Sequence, residues 1–152
     1  VMQLVERRAV ALDDPIGRHL DGLPAAWQPV TVRQLLNHTG GIPSYTDLGA
    51  DWARRWGEDM TTAQLVALTA EKPLEFAPGS SWKYSNSGYV LLGMLAERKF
   101  GAPYATLVAE RLARPLGLAH TGYCPPSLPA AGHATGYART PSGPTAAPRL
   151  SM

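Results

Sequence analysis

The stretch Pro78-Gly79-Ser80-Ser81-Trp82-Lys83-Tyr84-Ser85-Asn86-Ser87-Gly88 constrains this chain most, because it forces a loop and then releases a helix. Pro78-Gly79 interrupts regular structure, and from Tyr89 to Phe100 the apolar residues recur at helical spacing until Gly101 closes the run. A tyrosine and an asparagine, Tyr84 and Asn86, therefore stand on a tight turn just ahead of a strongly apolar helix. The rest of the chain reads as shorter helices. Val1 to about Arg8 puts Val1, Leu4 and Val5 on one face with no capping residue ahead of it, the pattern of a helix's last turns. Asp13-Asp14-Pro15 opens a short helix toward Leu20. Thr31-Val32-Arg33-Gln34 and Thr61-Thr62-Ala63-Gln64 are both capping boxes; the first helix is expected to end near Gly40-Gly41, the second at Pro73. Asp47 to Gly57 also reads as helical, with Trp52 and Trp56 four apart, as does Pro103 to about Arg114. From Cys124 onward Pro, Gly and Ala dominate, and one strand is expected near Gly136-Tyr137.

Composition removes several functions. A net charge of +2 with scattered basic residues gives no electrostatic case for nucleic acid or an anionic membrane. The single cysteine, Cys124, excludes an internal disulfide and a multi-cysteine zinc site, and is expected to be a small buried residue. His19, His38, His120 and His133 are too dispersed for a metal pair, so no metal or cofactor is expected. His38, at a helix end, reads as a capping or packing residue. The longest apolar run, Tyr89 to Ala96, is too short to span a bilayer, and no signal peptide is visible at the amino terminus.

The chemistry rests on Tyr84 and Asn86. A phenol ordinarily titrates near ~10, so it serves as a base at neutrality only where cations or a helix N-terminus stabilise its anion. Asn86 can donate from its amide nitrogen and accept at its oxygen, enough to hold a lysine and a substrate amide together. The plainer alternative makes Ser85, Asn86 or Ser87 the N-cap of the following helix and Tyr84 a half-buried aromatic. Ser80-Ser81-Trp82-Lys83 matches Ser-x-x-Lys literally, yet it follows Pro78-Gly79 in a loop, where i and i+3 share no helix face. Ser80 is therefore read as a loop residue, not a nucleophile. Trp82, beside the pair, is a packing residue or a pocket wall.

The surrounding segments strengthen the catalytic reading. Leu12-Asp13-Asp14-Pro15, Thr31 through Leu35-Leu36-Asn37-His38-Thr39-Gly40-Gly41-Ile42-Pro43, Phe76-Ala77-Pro78-Gly79, Tyr84-Ser85-Asn86 and Pro115-Leu116-Gly117-Leu118 stand in an order and spacing that resembles the class C β-lactamases and their penicillin-binding-protein and esterase relatives. The resemblance covers about residues 1 to 123. It implies a mostly α segment of an α/β (α+β) serine β-lactamase/transpeptidase-like fold: a helical region with most of the antiparallel sheet absent. It implies that residues 1–152 are a partial domain. The Ser-x-x-Lys motif is then expected roughly two or three helical turns before Val1, and the third motif beyond Met152. Tyr84 and Asn86 become catalytic residues. Tyr45 falls where class C enzymes often carry a glutamine against the substrate amide, which makes it a substrate-binding candidate and leaves esterase or peptidase activity open; its alternative role is a loop aromatic packed over helices. The implied partner is a small-molecule or peptide substrate: a β-lactam, D-amino-acid peptide or ester. A periplasmic or secreted location is favoured on the same ground. Two further readings stand beside this one: a non-catalytic binding or regulatory module that keeps the scaffold without the nucleophile, and a small helical interaction domain.

Overall fold

The computed structural model describes residues 1–55, 57–123 and 135–147. In chain order the helices are α1 (Met2–Glu6), α2 (Val32–Leu36), α3 (Ala50–Arg55), α4 (Thr62–Ala67), α5 (Asn86–Phe100) and α6 (Tyr104–Val108). Short 3-10 turns cover Ile16–Arg18 and Tyr45–Asp47, and α6 runs on into a wider π turn over Ala109–Ala113. The strands β1 (Tyr137–Thr140) and β2 (Gly143–Ala146) form an antiparallel hairpin, Tyr137 opposite Ala146 and Thr140 opposite Gly143. Among the described residues the fold is thus mostly helical with one two-stranded sheet.

The 15-residue α5 is the axis, and α2, α4 and α6 pack against it. Its buried face carries Leu91, Leu92 and Leu95, which join Ile16, Trp27, Val30, Val32, Leu35 and Ile42 in one core. Burying each such leucine contributes about 1.5–3 kcal/mol, enough to hold short helices that would not persist alone. Both capping boxes form as the sequence predicts. The Thr31 hydroxyl accepts from the Gln34 amide while Gln34 Oε1 accepts from the Thr31 amide, and Thr61 with Gln64 repeats the pattern. At its far end α5 stops where Gly101 turns left-handed at φ 69°.

Several expected boundaries are corrected, among them the helix after Thr61, which ends at Ala67 rather than running to Pro73. The long helix begins at Asn86, not Tyr89, because the Ser85 hydroxyl accepts from the Gly88 amide and starts the helix one turn early. Asn86 is therefore a helical residue rather than a turn residue. The helix after Thr31 ends at Leu36, well before Gly40-Gly41. Its end is a Schellman turn: the Thr39 amide bonds Gln34 O, the His38 amide bonds Leu35 O, and His38 itself takes the left-handed conformation at φ 61°. Gly41, at φ 73°, has another duty, since a Cβ there would collide with the Phe76 carbonyl oxygen. The expected strand at Gly136-Tyr137 starts at Tyr137 and has a partner that periodicity did not reveal, Gly143–Ala146, across Pro141-Ser142. Cys124, His133 and Trp56 lie outside the described residues.

Candidate active site

Segment 75–83 is laced to segment 38–41 by backbone hydrogen bonds: Glu75 N–H to Gly41 O at 2.8 Å, Gly79 N–H to Thr39 O at 2.8 Å and Lys83 N–H to His38 O at 3.0 Å. The close approach at Gly41 permits that lacing. It delivers Tyr84, a residue 55% exposed, to the N-terminus of α5, directly ahead of the cap Ser85.

The tyrosine and asparagine meet there. Tyr84 OH donates to Asn86 Oδ1 at 3.1 Å. Asn86 Nδ2 donates to Thr46 Oγ1 at 3.0 Å, and the Asn86 amide donates to Ser44 Oγ at 3.0 Å. Ser44 and Thr46 also touch each other, hydroxyl to hydroxyl, at 2.9 Å. One residue further, the buried Ser87 hydroxyl accepts from the Tyr45 amide at 3.0 Å. The loop 44–46 is thereby riveted to the first turn of α5. Asn86 keeps one amide hydrogen and one oxygen lone pair beyond these bonds, so it can still orient a further cation and a substrate group.

Tyr45 is buried at 6% exposure and packs edge-on against Trp52, ring centroids 4.8 Å apart. Burial pushes its phenol above the ordinary range, and the charge of an ionised Tyr84 nearby pushes the same way. Lys83 faces elsewhere: its ammonium sits 2.6 Å from Glu75 and 3.1 Å from Asp47, bonds that hold its pKa above the usual lysine value, Glu75 contributing most. Ser80 donates to Ala77 O at 2.7 Å in a non-helical segment, so Ser80 and Lys83 have separate partners. Trp82 is 63% exposed and meets His38 edge-on at 6.2 Å. His19 is buried and bonded to Asp14 at 3.0 Å. Among the described residues no cluster of three or more His, Cys, Asp or Glu converges on a metal-sized site, and no helix is long and apolar enough to cross a membrane. A groove of about 630 Å³ between Val5, Asp13, His19 and Lys99 does not include Tyr84.

The sequence did not single out Ser44, Thr46 or Ser87 as supports of the site. Their hydroxyls act across 40 to 42 residues, where no local pattern marks them.

A helical layer built on α5 thus carries a tyrosine–asparagine pair at its N-terminus. The chain belongs to the beta-lactamase family, which it matches over residues 1–151. It is 33% identical over 124 residues to penicillin-binding protein 4* of Bacillus subtilis, covering 80% of this chain and 27% of that protein. It is 36% identical over 136 residues to esterase EstB of Burkholderia gladioli, covering 81% of this chain and 34% of the esterase. In three dimensions it superposes on a D-stereospecific amidohydrolase from Streptomyces sp. with a TM-score of 0.82 at 32% identity, over 99% of this chain and 48% of the amidohydrolase. The chain thus spans about a quarter to a third of these curated relatives and about half of the solved one. The structural relatives have the β-lactamase/transpeptidase fold, and the mostly helical architecture described above is a part of it.

Proposed function

We propose that these residues are the helical part of a serine hydrolase that works through an acyl-serine intermediate, with the serine supplied from outside residues 1–152. The observation that carries this reading is the exposed Tyr84 hydroxyl bonded to Asn86 Oδ1 at 3.1 Å, on a support of buried or half-buried hydroxyls. In the complete enzyme a serine hydroxyl passes its proton to the Tyr84 oxygen as its own oxygen attacks the substrate carbonyl. The tetrahedral adduct collapses, Tyr84 returns the proton to the leaving group, and water then releases the acyl group. A neutral phenol cannot start this sequence near pH 7. Lys83 is held by Glu75 and Asp47, so the cation that stabilises the phenolate is assigned to the lysine of the nucleophile motif. Asn86 orients that lysine and the substrate amide. Tyr45, between the Ser44 and Thr46 hydroxyls that hold Asn86, is the substrate-side candidate. The substrate class is an acyl compound, either a β-lactam, a D-amino-acid peptide or amide, or an ester, in keeping with the names of the relatives.

The test is acylation of the complete gene product by a fluorescent penicillin and a chromogenic ester. Tyr84→Phe is expected to slow acylation by about 10²–10⁴-fold, the usual contribution of a positioned acid–base group. Acylation at the parent rate in Tyr84→Phe would refute its role. Reversible binding of a D-amino-acid peptide with no acylation would assign the chain to a non-catalytic binding module.

A further inference from the structure

Tyr84 is held from below by a residue that the proposed chemistry does not use. His38 occupies the C′ position of the Schellman turn that ends α2, at φ 61°, where glycine is the usual occupant. A helix end needs only the left-handed backbone, which glycine provides without strain. The side chain at this position has other contacts. His38 Nδ1 accepts from the Ser85 amide at 3.3 Å, and the His38 carbonyl accepts from the Lys83 amide at 3.0 Å. These amides belong to the residues on either side of Tyr84. Lys83 and Ser85 are two apart, and in extended backbone such alternate N–H groups point the same way, so a single residue can receive both. The imidazole also lies 4.6 Å from the Tyr84 ring, tilted by 42°, and stacks on Tyr89 at 4.9 Å and 25°. Tyr89 is in turn fixed by its hydroxyl, which donates to Leu36 O at 2.9 Å.

We propose that His38 is a positioning residue for Tyr84: its carbonyl and Nδ1 hold the amides of Lys83 and Ser85, the residues on either side, and its ring is the shelf against which the phenol rests. The inference deepens the reading of Tyr84 as the proton carrier and rests on it. Accepting the Ser85 amide requires an unprotonated Nδ1, which places the imidazole proton on Nε2. The left-handed backbone is what turns the carbonyl and the ring toward the same stretch of chain.

The experiment compares His38→Gly with His38→Asn in the complete gene product. Glycine keeps the backbone conformation and loses acceptor and ring. Asparagine tolerates the left-handed region and sets Oδ1 where Nδ1 stands, two bonds from Cβ. A residue that only ended the helix would be replaced by glycine without loss. Positioning predicts that His38→Gly lowers kcat by about 10²-fold, the effect of an approximately 1 Å misplacement, with little change in KM. It predicts that His38→Asn recovers most of that loss. Hydrogen exchange at the Ser85 amide is read in the same proteins: faster in His38→Gly, restored in His38→Asn. Parent-like kcat and Ser85 exchange in His38→Gly overturn the proposal, as does a His38→Asn variant no better than His38→Gly. If the parent protein shows no turnover, the hydrolase reading fails, and Ser85 exchange still decides whether His38 holds the Tyr84 backbone. If His38→Gly does not fold, loss of kcat and of Ser85 protection in a folded His38→Asn overturns the proposal, and retention of both supports it.

Discussion

Ser87→Ala is the sharpest probe of how the site loop is fastened to α5. The Ser87 side chain is fully buried, and its hydroxyl accepts from the Tyr45 amide at 3.0 Å, the bond that closes the loop onto the helix. Its other neighbour, the Thr69 hydroxyl, lies at 3.5 Å, the outer limit of a hydrogen bond. Alanine removes one oxygen and leaves almost no cavity, so packing contributes little to the change. What remains is a buried N–H without a partner, which costs about 1–3 kcal/mol. That loss falls on the loop–helix contact rather than on the whole core. Amide exchange at Tyr45, measured by NMR in the fast-closing regime, should then accelerate by about 5- to 150-fold, the same free energy expressed as a ratio of populations. Thr69→Val is the control. It deletes only the 3.5 Å contact and should leave Tyr45 exchange within about twofold, because a bond at that limit contributes little. Unchanged Tyr45 exchange in Ser87→Ala would refute the reasoning, and so would an equal effect of Thr69→Val.

Thr31→Ala should lower stability by about 0.5–2 kcal/mol in chemical denaturation, and Thr61→Ala by less, since the Thr31 box is half-buried and the Thr61 box is exposed. Asp13 and Asp14 have pKa values held below the ordinary carboxylate value, Asp13 by Arg33 and Asp14 first by the Ala11 amide and then by His19. Their stabilisation is complete above the unfolded value near ~4 and disappears as pH falls through the lower folded values, so Asp14→Asn should flatten the acid side of an unfolding titration. The Tyr45 phenol is raised by burial, which makes stability fall as pH climbs above ~10 toward the folded value. Tyr45→Phe should remove one raised phenol titration from the absorbance curve and reduce that alkaline loss.

Local signals account for what could be read from the chain alone. A capping box is written in four consecutive residues, so Thr31–Gln34 and Thr61–Gln64 announce their helices directly. The apolar spacing from Tyr89 to Phe100 marks the helix that organises the core. Where two local signals competed, the sequence was ambiguous. Ser85, Asn86 and Ser87 are all capable N-caps, and only the bond from the Gly88 amide selects Ser85. Gly40-Gly41 looks like a helix end, but the left-handed turn falls on His38 because Thr39 closes onto Gln34. Gly41 is reserved instead for the approach of the Phe76 carbonyl.

The sequence by itself determined the helical identity of the chain, the principal helix and the Tyr84–Asn86 pair, because helix formation and capping depend on residues within about one turn of each other. Tertiary structure alone decided what holds that pair. Ser44, Thr46 and Ser87 meet across the loop–helix junction, and His38 reaches 47 residues forward to the Ser85 amide. Small hydroxyls and a lone imidazole have no periodicity to reveal them. They become supports of a site only when burial leaves donors and acceptors that must be paired with one another rather than with water.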